Sequence, residues 1–205
     1  MTNAVIDTIL SRSAAKYYDP AATLSDDEIS ELVQIGTSAP TSFHLQNWRF
    51  IAVRSHEAKA KLSPIAWHQP AITEASVTFI VVGQLADSSV IPERLAPLVA
   101  AGVMPAAMMP DWEIPARDLY MDYPQRQRDE AVRTASFGAA AMMYAARSLD
   151  LGSTPMIGFD AEDVAREFGL ADNEIPVLLL SIGKERPGNW KQKPRRPVTE
   201  ILDFV

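Results

Sequence analysis

Hydrophobic positions along this chain change period several times, and each change marks an element. Val5, Ile6, Ile9 and Leu10 recur at helical spacing and predict a short amphipathic helix over 3–12. Ser25-Asp26-Asp27-Glu28 places a hydroxyl three residues before a carboxylate, the pattern of a capping box. It predicts a helix running through Gly36 with Ile29, Leu32 and Val33 on its buried stripe. Trp48, Phe50, Ile51 and Val53 predict a strand at 49–53, followed by a helix over 55–63 that Pro64 closes. Residues 76–82, Ser-Val-Thr-Phe-Ile-Val-Val, are almost continuously β-branched or aromatic, as in a central strand covered on both faces. The longest predicted helix spans 129–149 and ends at Leu151-Gly152. Its run Phe137-Gly138-Ala139-Ala140-Ala141 allows close approach, and its several apolar faces predict burial in the core or at a dimer interface. Asp160 caps a further helix that Gly169 ends, and Pro176 to Gly183 form a second buried strand. Ile201 to Val205 alternate weakly and suggest an edge strand, in the same subunit or a neighbour.

Between these segments, residues 84–130 lack a clear period. Six prolines, four methionines, Trp112, Tyr120 and Tyr123 fall there. Such a stretch reads as an irregular excursion, a lid or pocket wall, or a surface packed on a partner subunit.

Composition narrows the class. The chain has 205 residues, 47% hydrophobic and 22% charged, enough for one domain with a normal core. A formal net charge of −7 argues against nucleic acid or an anionic membrane as the main partner. With no cysteine there are no disulfides, thiolate metal sites or cysteine nucleophiles, which fits a reducing, cytoplasmic setting. The start, Met-Thr-Asn-Ala-Val-Ile-Asp, lacks the basic and long apolar regions of a signal peptide, and no apolar run is long enough to span a membrane.

Candidate chemistry concentrates in four places. Arg12 and Lys16 lie four apart beside Ser13, suited to a phosphate or to a solvated helix end set against its dipole. Pro40 halts a helix, and Thr41, Ser42, His44 and Gln46 then offer donors and acceptors along an extended path. That arrangement suits a flat, polar-edged ligand or a solvated turn. Pro155 and Gly158 bracket Met156 and Ile157 in a segment whose backbone can approach a ligand closely. The tail from Lys191 to Pro197 is basic in an otherwise acidic chain, and includes Lys193 and Arg195. No Ser-His-Asp order, metal-ligand cluster, Walker motif or Rossmann glycine motif accompanies them.

In this order and spacing the segments resemble the nitroreductase family of FMN-dependent NAD(P)H oxidoreductases, over nearly the whole chain. The resemblance matches Arg12, Ser13 and Lys16 to the family's first phosphate-binding segment, and Lys193 and Arg195 to its last. Pro40, Thr41, Ser42, His44 and Gln46 match its polar loop, His68 with Gln69 beside it stands at its asparagine, and Pro155, Met156, Ile157 and Gly158 match the backbone beside the reactive flavin nitrogen. The fold implied is α+β, a central mixed β-sheet flanked by helices, in an intertwined homodimer with two FMN sites at the interface. Loop 40–46 is then expected to serve the flavin held mainly by the other subunit, with His44 and Gln46 at its pyrimidine end. The activity implied is ping-pong hydride transfer from NADH or NADPH to nitroaromatic, quinone or reactive carbonyl acceptors, chosen by the excursion. The alternatives are reduction of an unsaturated or semialdehyde metabolite, a flavin-binding protein without turnover, and a scaffold with no cofactor.

Overall fold

The computed structural model describes residues 3–205, so Met1 and Thr2, the start of the segment read for a leader, lie outside it. In chain order the elements are α1 (Ala4–Ser11), α2 (Asp26–Gly36), β1 (Trp48–Val53), α3 (His56–Ile65), α4 (Pro70–Glu74) and β2 (Val77–Gln84). They continue with α5 (Ile91–Ala100), α6 (Pro110–Tyr120), α7 (Pro124–Ser148), β3 (Gly152–Met156), α8 (Ala161–Glu167) and β4 (Glu174–Gly183). The architecture is α+β, with a four-stranded sheet in the order β1-β2-β4-β3.

All three strand pairings are antiparallel, where a mixed sheet is expected from the resemblance. Among the described residues the parallel component is a single bridge between Ala14 and Ser153. Alternate side chains of β2 enter opposite layers. Ile80 and Val82 join Val53, Leu62, Ile72, Val164 and Leu179 on one face. Val77, Phe79 and Val81 join Ile29, Leu32, Ala139, Met142 and Leu180 on the other. Both faces of β2 are therefore covered, as its continuous apolar run predicts. Helix α7 lies directly on the sheet: a Cβ on Gly83 would sit 2.5 Å from the Ala131 carbonyl oxygen, so only glycine admits this approach.

The capping box forms as read. Ser25 Oγ accepts from the Glu28 N–H at 3.3 Å, and Glu28 Oε2 accepts from the Ser25 N–H at 2.7 Å. Helix α3 runs two residues past its expected end, since Pro64 lies inside it. The C-terminal residues form no strand within this chain; after a single 3₁₀ turn at Val198–Glu200 the chain runs on exposed.

The excursion departs most. Residues 84–130 hold two complete helices and the start of α7. Pro110 and Pro124 sit at the first position of their helices, where a missing N–H costs nothing. These helices bury their own cluster of Ile91, Leu95, Met104, Ala116 and Tyr120, and Leu45 from the polar loop joins it. By contrast α1 buries none of its residues, and Val5, Ile6, Ile9 and Leu10 stand exposed alongside Phe137 and Tyr144 of α7.

Candidate functional site

The two chain ends meet at the edge of the sheet. The Ala15 N–H donates to the Ser153 carbonyl at 3.1 Å, which lays residues 12–16 alongside β3. Asn189 then ties the tail to the same segment, its Oδ1 accepting from the N–H groups of Lys16 and Tyr17 at 2.7 and 2.8 Å. Ser13 Oγ donates to the Trp190 carbonyl at 2.9 Å, and Gln192 Nε2 donates to the Arg12 carbonyl at 2.8 Å. The result is a pair of adjoining clefts of about 270 Å³ each that share Ala14, Trp190 and Lys193. Arg12, Ser13 and Arg195 line one; Lys16, Gln69, Thr154 and Met156 line the other.

Five cations line the two clefts: Lys191 and the four that the sequence singles out, Arg12, Lys16, Lys193 and Arg195. The ammonium groups of Lys16 and Lys193 lie 6.0 and 5.5 Å from the Trp190 ring centre. Arg195 donates to Gln192 Oε1 at 2.8 Å and to the Lys193 carbonyl at 3.1 Å. One terminal nitrogen of Arg12, Nη1, is buried with no hydrogen-bond partner. None of the four forms an ion pair among the described residues. Buried donors are rarely left unmatched, and four cations without carboxylates make a concave anion site.

The backbone that follows β3 borders this site. The N–H groups of Ile157 and Gly158 make no backbone hydrogen bond among the described residues. Gln69 Nε2 holds the Gly158 carbonyl at 2.8 Å. A Cβ on Gly158 would meet the Trp67 ring at 3.0 Å, so this turn is built around glycine.

A second and larger cleft, about 630 Å³, shares no lining residue with the first two. Pro40, Thr41 and Ser42 form one wall; Leu119 and Tyr120 of α6, with Arg126, Asp129, Glu130, Arg133 and Phe137 of α7, form the rest. The loop behind it is strained: Phe43, His44 and Gln46 adopt φ values of 47, 57 and 48°. Glu130 is buried at the inner end. Its carboxylate accepts from Tyr120 Oη and Thr134 Oγ1, each at 3.1 Å, and pairs with Arg133. Burial pushes the Tyr120 phenol above its ordinary pKa, so it stays protonated and donates.

Comparison with known proteins bears on this geometry directly. The model of the nitroreductase family matches residues 9–184. The chain belongs to the nitroreductase family. YodC of Bacillus subtilis, described as an NAD(P)H nitroreductase, is 31% identical over 206 residues, covering 100% of both chains. YdgI of the same organism, described likewise, is 31% identical, with 99% of this chain and 98% of that one covered. A nitroreductase from Exiguobacterium sibiricum solved with FMN superposes with a TM-score of 0.91 at 25% identity, covering 100% of this chain and 99% of the other.

Within this nitroreductase fold most of the residues singled out by sequence fall into two groups. Arg12, Ser13, Lys16, Met156, Lys193 and Arg195 line the basic clefts, with Ile157 and Gly158 following directly on β3. Pro40, Thr41 and Ser42 line the other cleft. His44 and Gln46 line neither; their Nε2 atoms lie 2.9 Å apart, bonded to each other. His68 is exposed and lines none of these clefts, whereas its neighbour Gln69 lines one. Both Trp67 and His68 have positive φ, and this bend brings Gln69 to the site. Thr154 and Met156 line the cleft while Pro155 between them is exposed, the alternation of a strand. Trp190, Thr154, Tyr120 and Glu130 carry no motif signal. Thr154 is recoverable from strand parity with Met156, and Tyr120 only from its partners in space. Among the described residues no helix is long and apolar enough to cross a membrane, and no group of three or more His, Asp or Glu is placed to hold a metal ion.

Proposed function

We propose that this chain, an FMN-dependent NAD(P)H oxidoreductase of the nitroreductase family, passes reducing equivalents to small acceptors such as nitroaromatics and quinones by ping-pong exchange in one open slot. The observation that carries the reading is the gathering of Arg12, Lys16, Lys193 and Arg195, without carboxylate partners, beside the Met156–Gly158 backbone. The buried, unmatched Arg12 Nη1 fits a phosphate oxygen, and guanidinium groups suit phosphate by their paired donors. FMN, when bound, supplies the hydride chemistry.

The protein's own residues do the holding. Arg12, Lys16, Lys193 and Arg195 bind the phosphate, with Ser13 tethering the tail that carries two of them. Gln69 fixes the Gly158 peptide, and the N–H groups of Ile157 and Gly158 remain as donors beside the ring. Thr41 and Ser42 belong to a separate cleft, so a second copy of the chain brings its loop to the flavin and the site is completed only in a homodimer. The exposed apolar residues of α1 and the Phe137 and Tyr144 side chains of α7 support that pairing.

The absorption spectrum of the purified protein, followed by anaerobic addition of NADH and of NADPH, tests this reading. Flavin bands that bleach, and recover on adding a quinone or nitroarene, are expected. A protein that stays colourless after reconstitution with FMN, or a flavin that neither nicotinamide reduces, overturns it.

A further inference from the structure

The strained loop at 41–46 has few means of support within itself. The His44 and Leu45 N–H groups donate to the Thr41 and Ser42 carbonyls at 3.4 and 2.9 Å, the Gln46 N–H donates to Thr41 Oγ1 at 3.3 Å, and His44 pairs with Gln46. Three non-glycine residues at positive φ persist only where surrounding contacts hold them. The external contacts converge on one side chain of the excursion. Tyr120, only 3% exposed, lies 3.0 Å by its hydroxyl from Ser42 Oγ. Its ring meets the Phe43 ring edge-on, with centres 6.2 Å apart and planes at 86°. Leu45, 1% exposed, packs into the same cluster.

The hydrogen bonds also have a direction. The phenol has one proton, and its carboxylate neighbour, Glu130, accepts it. Ser42 must then donate to the phenol oxygen. The chain of protons runs from Ser42 through Tyr120 to Glu130, and leaves Ser42 Oγ as an acceptor towards the cleft it lines.

We infer that Tyr120 is a positioning residue: anchored on Glu130, it holds Ser42 and Phe43 so that loop 41–46 keeps its bend, and through the loop it sets how the second subunit meets the cofactor and acceptor. The inference rests on the proposed role of this loop towards the flavin of the partner subunit. It makes the excursion and the loop one unit.

Tyr120→Phe keeps the ring against Phe43 and removes only the hydroxyl. Amide hydrogen exchange over residues 43–47 of the flavin-free protein is expected to quicken about fivefold, the loss expected from one hydrogen bond. Exchange in β2 and β4 should not change. In the reconstituted enzyme, KM for the acceptor is expected to rise by a similar factor with kcat less affected. The Ser42→Ala/Tyr120→Phe double variant should be no worse than the poorer single variant. Unchanged exchange at 43–47, or singles whose effects simply multiply, overturns the inference. Quickened exchange with FMN affinity and KM both unmoved keeps the tether and instead overturns the placing of this loop at the flavin. Should Tyr120→Phe fail to fold, Glu130→Gln, which keeps the shape but weakens the acceptor, carries the same exchange expectation and the same refutation.

Discussion

The two clefts of this molecule are built on opposite plans. The basic one is assembled from the two ends of the chain, and its charges face one another with no carboxylate between them. The other is drawn from one loop and two neighbouring helices, and its buried Glu130 is matched by Arg133, Tyr120 and Thr134. In one site the cations lack ion-pair partners, and in the other the buried carboxylate is fully matched. An open set of cations gains most of its stabilisation from a ligand, whereas a closed network stabilises the fold itself. The same kind of mutation should therefore have different consequences in the two places.

The largest expected effect on the fold is from Glu130→Ala. It deprives two hydroxyls and a guanidinium of their shared acceptor and should lower unfolding free energy by about 3 kcal/mol, read by denaturant titration. A loss below about 0.5 kcal/mol would place the network outside the stabilising set. Arg195→Ala should do the reverse. Its side chain is exposed, so stability should stay within about 0.5 kcal/mol, while FMN affinity falls about tenfold by fluorescence titration. Equal flavin occupancy in that variant removes the tail from the site.

A smaller effect should appear in acid, away from both clefts. Arg49 donates to both oxygens of Glu174, at 2.8 and 2.6 Å, and holds its carboxyl below the usual range. A depressed folded-state pKa contributes stability above the ordinary value of 4.5, and that contribution is lost as pH falls through the depressed value. Glu174→Gln should accordingly flatten the acid limb of stability below about pH 5, its difference from the unsubstituted chain shrinking as the pH falls. An acid limb identical to that of the unsubstituted chain would assign the loss to other carboxylates.

How far the molecule could be read from its sequence follows the same division. Strands β1, β2 and β4 were legible because their apolar residues run with little break, and α2 because Ser25 and Glu28 cap locally; β3 was not, because Gly152, Ser153 and Pro155 read as a tight turn. The excursion was not, because its prolines read as breakers where Pro110 and Pro124 start helices and Pro97 and Pro115 are tolerated inside them. The basic cations were legible as charge out of keeping with an acidic chain. That Gln69 rather than His68 reaches the cleft depends on positive φ at Trp67 and His68, with no glycine to announce it. The bonding of His44 to Gln46, and of Ser42 to Tyr120, is tertiary, and spacing along the chain carries no trace of it. Family motifs name the residues of both clefts together, but only the fold separates them.

The central claim is that cations from both chain ends hold one phosphate. Parallel titrations of FMN and riboflavin into the unsubstituted flavin-free protein and into Arg12→Ala/Arg195→Ala test it most directly. Two lost charge-assisted hydrogen bonds predict that the unsubstituted chain prefers FMN over riboflavin by about a hundredfold or more, and that the double variant loses most of this preference while binding riboflavin as before. A preference for FMN that survives intact in the double variant would contradict the account.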